Sequence, residues 1–145
     1  ITAMDSTTFT LGSGSSFNVL DGTFIAYVWT NISGYSKFGS YLGNASTDGP
    51  FIYTGFKPTW FMWKKTATEN WGVAYNPPNS TNPVSYSVRP DTDAVESTSD
   101  KMDFLSNGVK MRATSGEWNG SGGTYIYMAF GQPIISNSGI CATAR

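Results

Sequence analysis

Histidine is absent from this 145-residue chain, and cysteine occurs once, at Cys141. The first absence removes the commonest general base and the commonest transition-metal ligand together, so Ser-His-Asp and Cys-His chemistry are excluded. A single cysteine forms neither an intrachain disulfide nor a thiolate zinc cluster. Charge is scarce as well: Asp, Glu, Lys and Arg make up 13% of the residues, with a net charge of −1, about half the usual charged share. The nine Lys and Arg residues are scattered, leaving no electrostatic footprint for nucleic acid. No apolar run approaches the roughly 20 residues of a membrane helix, and no charged region followed by an apolar run marks a signal peptide. Neither membrane insertion nor a cofactor is expected. The first residue is Ile1 rather than Met, and a piece of something longer is expected.

What is present is aromatic and β-forming. Phe, Trp and Tyr supply 15% of the chain, and each can bury on the order of 150–250 Å². One domain over residues 1–145 therefore has material for a real core. Helical periodicity is missing; short β-rich runs alternate with Gly, Ser, Asn and Pro. The runs at 7–11, 23–30, 37–42, 50–53, 60–64, 71–75, 85–88, 108–113 and 124–130 predict about nine strands. With no crossover helices between them, the fold class expected is all-β, an antiparallel β-sandwich of jelly-roll-like type. Gly34, Gly39, Gly43, Gly49 and Gly55 are expected at tight turns or close backbone contacts. Residues 76–83 and 89–101 read as polar loops, and residues 131–145 as a tail.

Two strands are apolar on both faces. One carries Phe24, Ala26 and Val28 on one side and Ile25, Tyr27 and Trp29 on the other. The last strand sets Tyr125, Tyr127 and Ala129 against Ile126, Met128 and Phe130. Such strands are covered on both sides, either within the monomer or with one face against a neighbouring subunit, and the second is the attractive cover for so short a chain. Tyr27, Trp29, Tyr125 and Tyr127 are therefore the expected subunit interface. The two strands also echo each other: Gly22–Trp29 aligns with Gly123–Phe130 at an offset of 101 residues, three of eight positions being identical. Residues 1–30 are read as the closing strands of a preceding repeat, or the match as chance.

Four motif blocks carry a resemblance. They are Gly34-Tyr35-Ser36-Lys37-Phe38-Gly39-Ser40-Tyr41 with Gly43-Asn44 and Thr47-Asp48-Gly49-Pro50-Phe51-Ile52-Tyr53-Thr54-Gly55-Phe56, then Trp60-Phe61-Met62-Trp63-Lys64-Lys65-Thr66. Asp103-Phe104-Leu105-Ser106-Asn107-Gly108-Val109-Lys110 and Gly122-Gly123-Thr124-Tyr125-Ile126-Tyr127-Met128-Ala129-Phe130 complete them. Over residues 20–145 the chain resembles a β-rich repeat domain of uncharacterised function in tail and other virion proteins of tailed phages, including phages of marine bacteria. The resemblance implies a structural virion protein outside the cell, more in the tail than the capsid. It implies a tail fibre or receptor-binding component, homo-oligomeric as a homotrimer, with other virion proteins and a host surface glycan as partners. Capsid decoration is the alternative. The family brings no catalytic residues, and the loop at 76–83 departs from it in being shorter and richer in proline.

Sites are weighed residue by residue. A glycosidase needs two facing carboxylates; Asp48, Glu69, Glu117 and the acids of 91–103 supply enough, but no spacing pairs them, and no enzyme is expected. Asp91, Asp93 and Glu96, with Asp100 nearby, are a weak metal candidate that lacks the EF-hand glycine, so a solvated acidic loop is the better reading. Sugar sites join an aromatic platform to polar side chains, and Trp118, Trp71, Tyr75, Tyr86 and Asn119 are the residues that fit. The competing reading has Trp118 plugging one end of the sandwich. Glycosylation-type triplets, such as that at Asn31, are too cheap in a chain this rich in Ser and Asn to count.

Overall fold

Large side chains on both faces of residues 124–131 favour an interior place in a sheet for that stretch. In the computed structural model, which describes residues 1–14, 16–76, 81–99 and 102–131, it is an interior strand of the larger sheet, second from one edge. The elements in order are β1 (Ala3–Met4), β2 (Phe9–Thr10), β3 (Ser36–Leu42), β4 (Phe51–Tyr53), β5 (Pro58–Lys65) and β6 (Trp71–Tyr75). There follow β7 (Ser87–Val88), β8 (Met102–Leu105), β9 (Gly108–Met111), the short helix α1 (Gly116–Asn119) and β10 (Thr124–Gly131). β1 and β2 form a small hairpin. One sheet runs β3-β10-β5-β6-β7, the other β4-β9-β8, and every pairing is antiparallel. The expected all-β antiparallel fold is what the chain adopts, with ten strands among the described residues.

Register decides what faces inward. Tyr125 lies opposite Tyr41 and Lys65, Tyr127 opposite Gly39 and Trp63, and Ala129 opposite Phe61. Tyr41, Phe61, Trp63, Tyr125, Tyr127 and Ala129 meet Ile52, Met102, Phe104, Val109 and Met111 of the second sheet in one core cluster. Rings dominate it: Tyr41 stacks on Tyr125 at 4.9 Å, Phe61 on Tyr127 at 5.5 Å, and Trp63 meets Trp118 edge-on at 6.1 Å. Gly72, opposite Trp63, has no room for a side chain, since an added Cβ would lie 2.1 Å from the indole.

Residues 82–88 tie the sheets together. The Asn82 amide bonds both the N–H and the C=O of Phe104 at the rim of β8 (3.0 and 3.1 Å), and Val84 exchanges backbone bonds with Met102. Three residues further on, Ser87 pairs with Ala74 in the other sheet.

Several expectations are corrected. No strand forms over 23–30; Tyr27 and Trp29 are 74% and 52% exposed. Tyr125 and Tyr127, expected at a subunit interface, instead fill the space between the sheets. The acids of 91–103 are expected to be solvated, but the last of them lies in β8, a strand not among those expected. Its Asp103 is buried instead, held by the Arg112 Nε at 2.6 Å. Pro77 to Ser80 of the proline-rich loop, Asp100, Cys141 and the expected tail from residue 132 lie outside the described residues.

Candidate functional site

Alternation sends Phe61 and Trp63 of β5 into the core, so Trp60, Met62 and Lys64 point the other way. On β10 the same rule turns out Ile126, Met128 and Phe130, on β3 Phe38 and Ser40, and on β6 Trp71, Val73 and Tyr75. One step past the β6–β7 register, Tyr86 comes opposite Tyr75. The outer face of the five-stranded sheet is thus an aromatic band. Phe130 touches Tyr35, Phe38 and Trp60 at 5.8, 5.7 and 5.5 Å between ring centres, and Tyr75 and Tyr86 continue it towards β7. Phe38, Trp60 and Phe130 are half-buried, held against one another but still open to solvent.

Three sequence-predicted sugar-site residues meet here. Trp71 and Tyr75 share the outer face of β6, and Tyr86 is 40% exposed beside them. Two acids of the 89–99 loop reach them: Asp91 Oδ2 accepts from the Trp71 N–H at 3.1 Å, and Glu96 accepts a hydrogen bond from the Tyr75 hydroxyl. That bond pushes the Tyr75 phenol above its ordinary range. Carboxylates beside aromatic faces can receive hydroxyls while the rings take C–H surfaces. The same acids do not build a metal site. Asp91 and Glu96 serve opposite ends of β6, and among the described residues no three metal-ligating side chains are grouped.

The other two candidates are structural, which corrects the sugar-site reading for them. Trp118 is 6% exposed and Asn119 fully buried. The Asn119 side chain accepts from the Asn44 N–H at 2.9 Å and donates to the Ser46 and Ala113 carbonyls at 2.8 Å each. It latches the 43–49 loop onto α1. Gly43 and Gly49 allow this approach, since an added Cβ would lie 2.3 Å from the Gly120 carbonyl or 2.7 Å from Met111. The stacked phenols hold α1 from below: Tyr41 donates to Trp118 O and Tyr125 to Gly116 O. Arg89 lies 5.8 and 5.4 Å from the Trp63 and Trp118 ring centres and pairs with Glu117. Trp118 therefore plugs the sandwich end, as the competing reading had it.

Residues missed at the sequence level are Trp60, Phe38 and Phe130. Their signal was present in the out-facing parity of strands whose in-facing partners are also aromatic. The family model that matches the chain, over residues 1–133, is a domain of unknown function, DUF7483. The chain belongs to the DUF7483 family. No curated protein and no solved structure matches it. The match reaches across the exposed segment 23–30, so that segment is part of the DUF7483 unit. It runs on through α1 and β10, the second of which carries Phe130 of the aromatic band.

Proposed function

We propose that this DUF7483 domain is a non-enzymatic structural and binding component of a tailed-phage virion: a tail fibre or receptor-binding tail protein that meets a host surface glycan. The observation that carries the reading is the aromatic band on the outer face of the five-stranded sheet, ending at Trp71, Tyr75 and Tyr86 beside Asp91 and Glu96. Aromatic side chains exposed as a group on one face mark a contact surface, and this one offers ring faces together with hydrogen-bond acceptors. Four of the acids that a hydrolase would draw on are already engaged. Asp48, Glu69, Asp103 and Glu117 pair with Lys110, Lys65, Arg112 and Arg89. Placement in a virion and assembly as a homotrimer rest on the phage-tail resemblance of the motif blocks.

Glycan-array binding of the whole chain, repeated with Trp71→Ala and Tyr86→Ala, tests the reading. The expected result is selective binding to a subset of bacterial surface glycans, weakened about tenfold or more by either change while the melting temperature holds. Indifference to every glycan, or binding that ignores both changes, sinks it. A second reading, capsid decoration, is favoured by the tilted, mutually packed rings at Phe130, which resemble a protein-facing surface. It predicts that Trp60→Ala abolishes capsid attachment while glycan binding is absent throughout.

A further inference from the structure

β3 is an edge strand, and its outer rim has one neighbour already in place. Ile32 and Ser36 exchange both backbone hydrogen bonds, at 3.1 and 2.9 Å, across the turn at Gly34 (φ 78°). This bridge is the closed end of a hairpin, and it sets a register. Stepping outward along an antiparallel ladder, Thr30 comes opposite Phe38, Val28 opposite Ser40 and Ala26 opposite Leu42. In the structure the ladder stops after one rung. The Asn31 side-chain oxygen takes the Phe38 N–H at 2.9 Å, and the Ser36 hydroxyl takes the Thr30 carbonyl at 2.9 Å. Two side chains thus stand where a continuing strand would bond. Beyond them, Ser40 and Leu42 present N–H and C=O groups that pair with no strand among the described residues.

We propose that residues 23–30 dock along this rim in the same chain as a sixth strand, order 23–30, β3, β10, β5, β6, β7. Side-chain sizes fit the register. Odd-numbered residues of β3 face the second sheet, as buried Tyr41 shows, so docking brings Trp29 opposite Gly39 and Ile25 opposite Gly43. Trp29, larger than Ile25 or Tyr27, thus meets a residue with no side chain of its own. Tyr27 meets Tyr41 and extends the stack that Tyr41 makes with Tyr125. Tyr27 and Trp29 already share one side, their rings stacked at 6.0 Å. Docking covers Ile25, Tyr27 and Trp29 and gives the rim of β3 its missing partners, the two liabilities of an open edge beside an apolar strap. The segment is rich in Val, Ile, Thr, Tyr, Phe and Trp, as a strand requires. The inference is independent of any glycan and stands or falls apart from the proposed function.

The register makes the proposal testable residue by residue in the whole chain. Amide hydrogen exchange read by NMR is expected to show alternation. The N–H groups of Ala26, Val28 and Thr30, and of Ser40 and Leu42, exchange roughly tenfold or more slowly than those of Ile25, Tyr27 and Trp29. A cross-link gives the second reading, with Cys141→Ser as background. Val28→Cys with Ser40→Cys places two cysteines opposite each other, at about the 5.5 Å Cα separation a disulfide accepts. Trp29→Cys with Ser40→Cys is one residue out of register. The first pair is expected to oxidise to a cross-linked monomer and the second to remain reduced. Uniformly fast exchange from 24 to 30, or cross-linking of the two pairs alike, overturns the proposal. So does a disulfide that appears only between chains. That result would mean the segment closes the sheet of another copy.

Discussion

Replacing Asn119 with alanine tests whether the latch between the 43–49 loop and α1 is structural. The side chain is fully buried and makes three hydrogen bonds, one accepted from Asn44 N–H and two donated to the carbonyls of Ser46 and Ala113. A neutral hydrogen bond contributes about 1 kcal/mol net, so Asn119→Ala costs about 3 kcal/mol. Alanine is a better helix former, but the gain is only a few tenths (~0.5 kcal/mol) in a one-turn helix. For a chain of this size about 3 kcal/mol lowers the melting temperature by roughly 6–12 °C. Tryptophan fluorescence follows it well, because Trp118 is the neighbouring residue and touches Trp63. Asn119→Asp sharpens the test. The shape is kept, but both donors are lost at neutral pH and a carboxylate is buried against two carbonyl oxygens. Burial raises the folded pKa of such an acid above its unfolded value. The penalty is therefore largest above the folded pKa and shrinks as pH falls and the acid is protonated in both states. Asn119→Asp must be less stable than Asn119→Ala at pH 7 and close the gap near pH 4. A melting temperature for Asn119→Ala within about 2 °C of the parent would refute the reasoning.

Gly72→Ala is expected to fail more severely, because the new methyl would sit 2.1 Å from the Trp63 indole with the five-stranded sheet closed around it; purified yield and near-ultraviolet circular dichroism report it, and a native spectrum would contradict the packing described. Burial, with a contribution from Tyr125, holds the Tyr41 phenol well above its ordinary range. Its neutral form is favoured by the folded state, so the stabilisation is complete below the ordinary pKa of about 10 and is lost as pH rises beyond it. In an alkaline titration followed at the phenolate absorbance, Tyr41→Phe should remove a group that ionises only as the protein unfolds; smooth ionisation of that group below the unfolding pH would count against its burial.

Much of this fold was legible because alternation and β-forming residues agree over 37–42, 60–64, 71–75 and 124–130. Each of those runs lies in a strand of the larger sheet. Legibility failed where tertiary contact overrides local chemistry. Asp103 looked like part of a solvated acidic loop, yet Arg112 neutralises it within a strand, on a hairpin whose two-residue turn at Ser106 and Asn107 was in plain view. Gly116 to Gly122 looked like an exposed polar loop around an available tryptophan. Only contact with the 43–49 loop, 70 or more residues away in sequence, reveals that Asn119 is spent on the backbone and Trp118 on the core. The candidate surface was half legible. Trp71, Tyr75 and Tyr86 stand beside polar loops in the sequence, whereas nothing local distinguishes the two faces of the Trp60 strand, which is apolar on both.

The stretch 82–88 has a consequence for how the molecule comes apart. It bonds to β8 through Asn82 and Val84 and to β6 through Ser87, so neither sheet can peel away without straining a backbone that belongs to the other. The pair must melt as one cooperative unit rather than leaf by leaf. A load drawn through the domain is then shared by both sheets through a covalent strut a few residues long, which a stack held only by contact between its faces would lack.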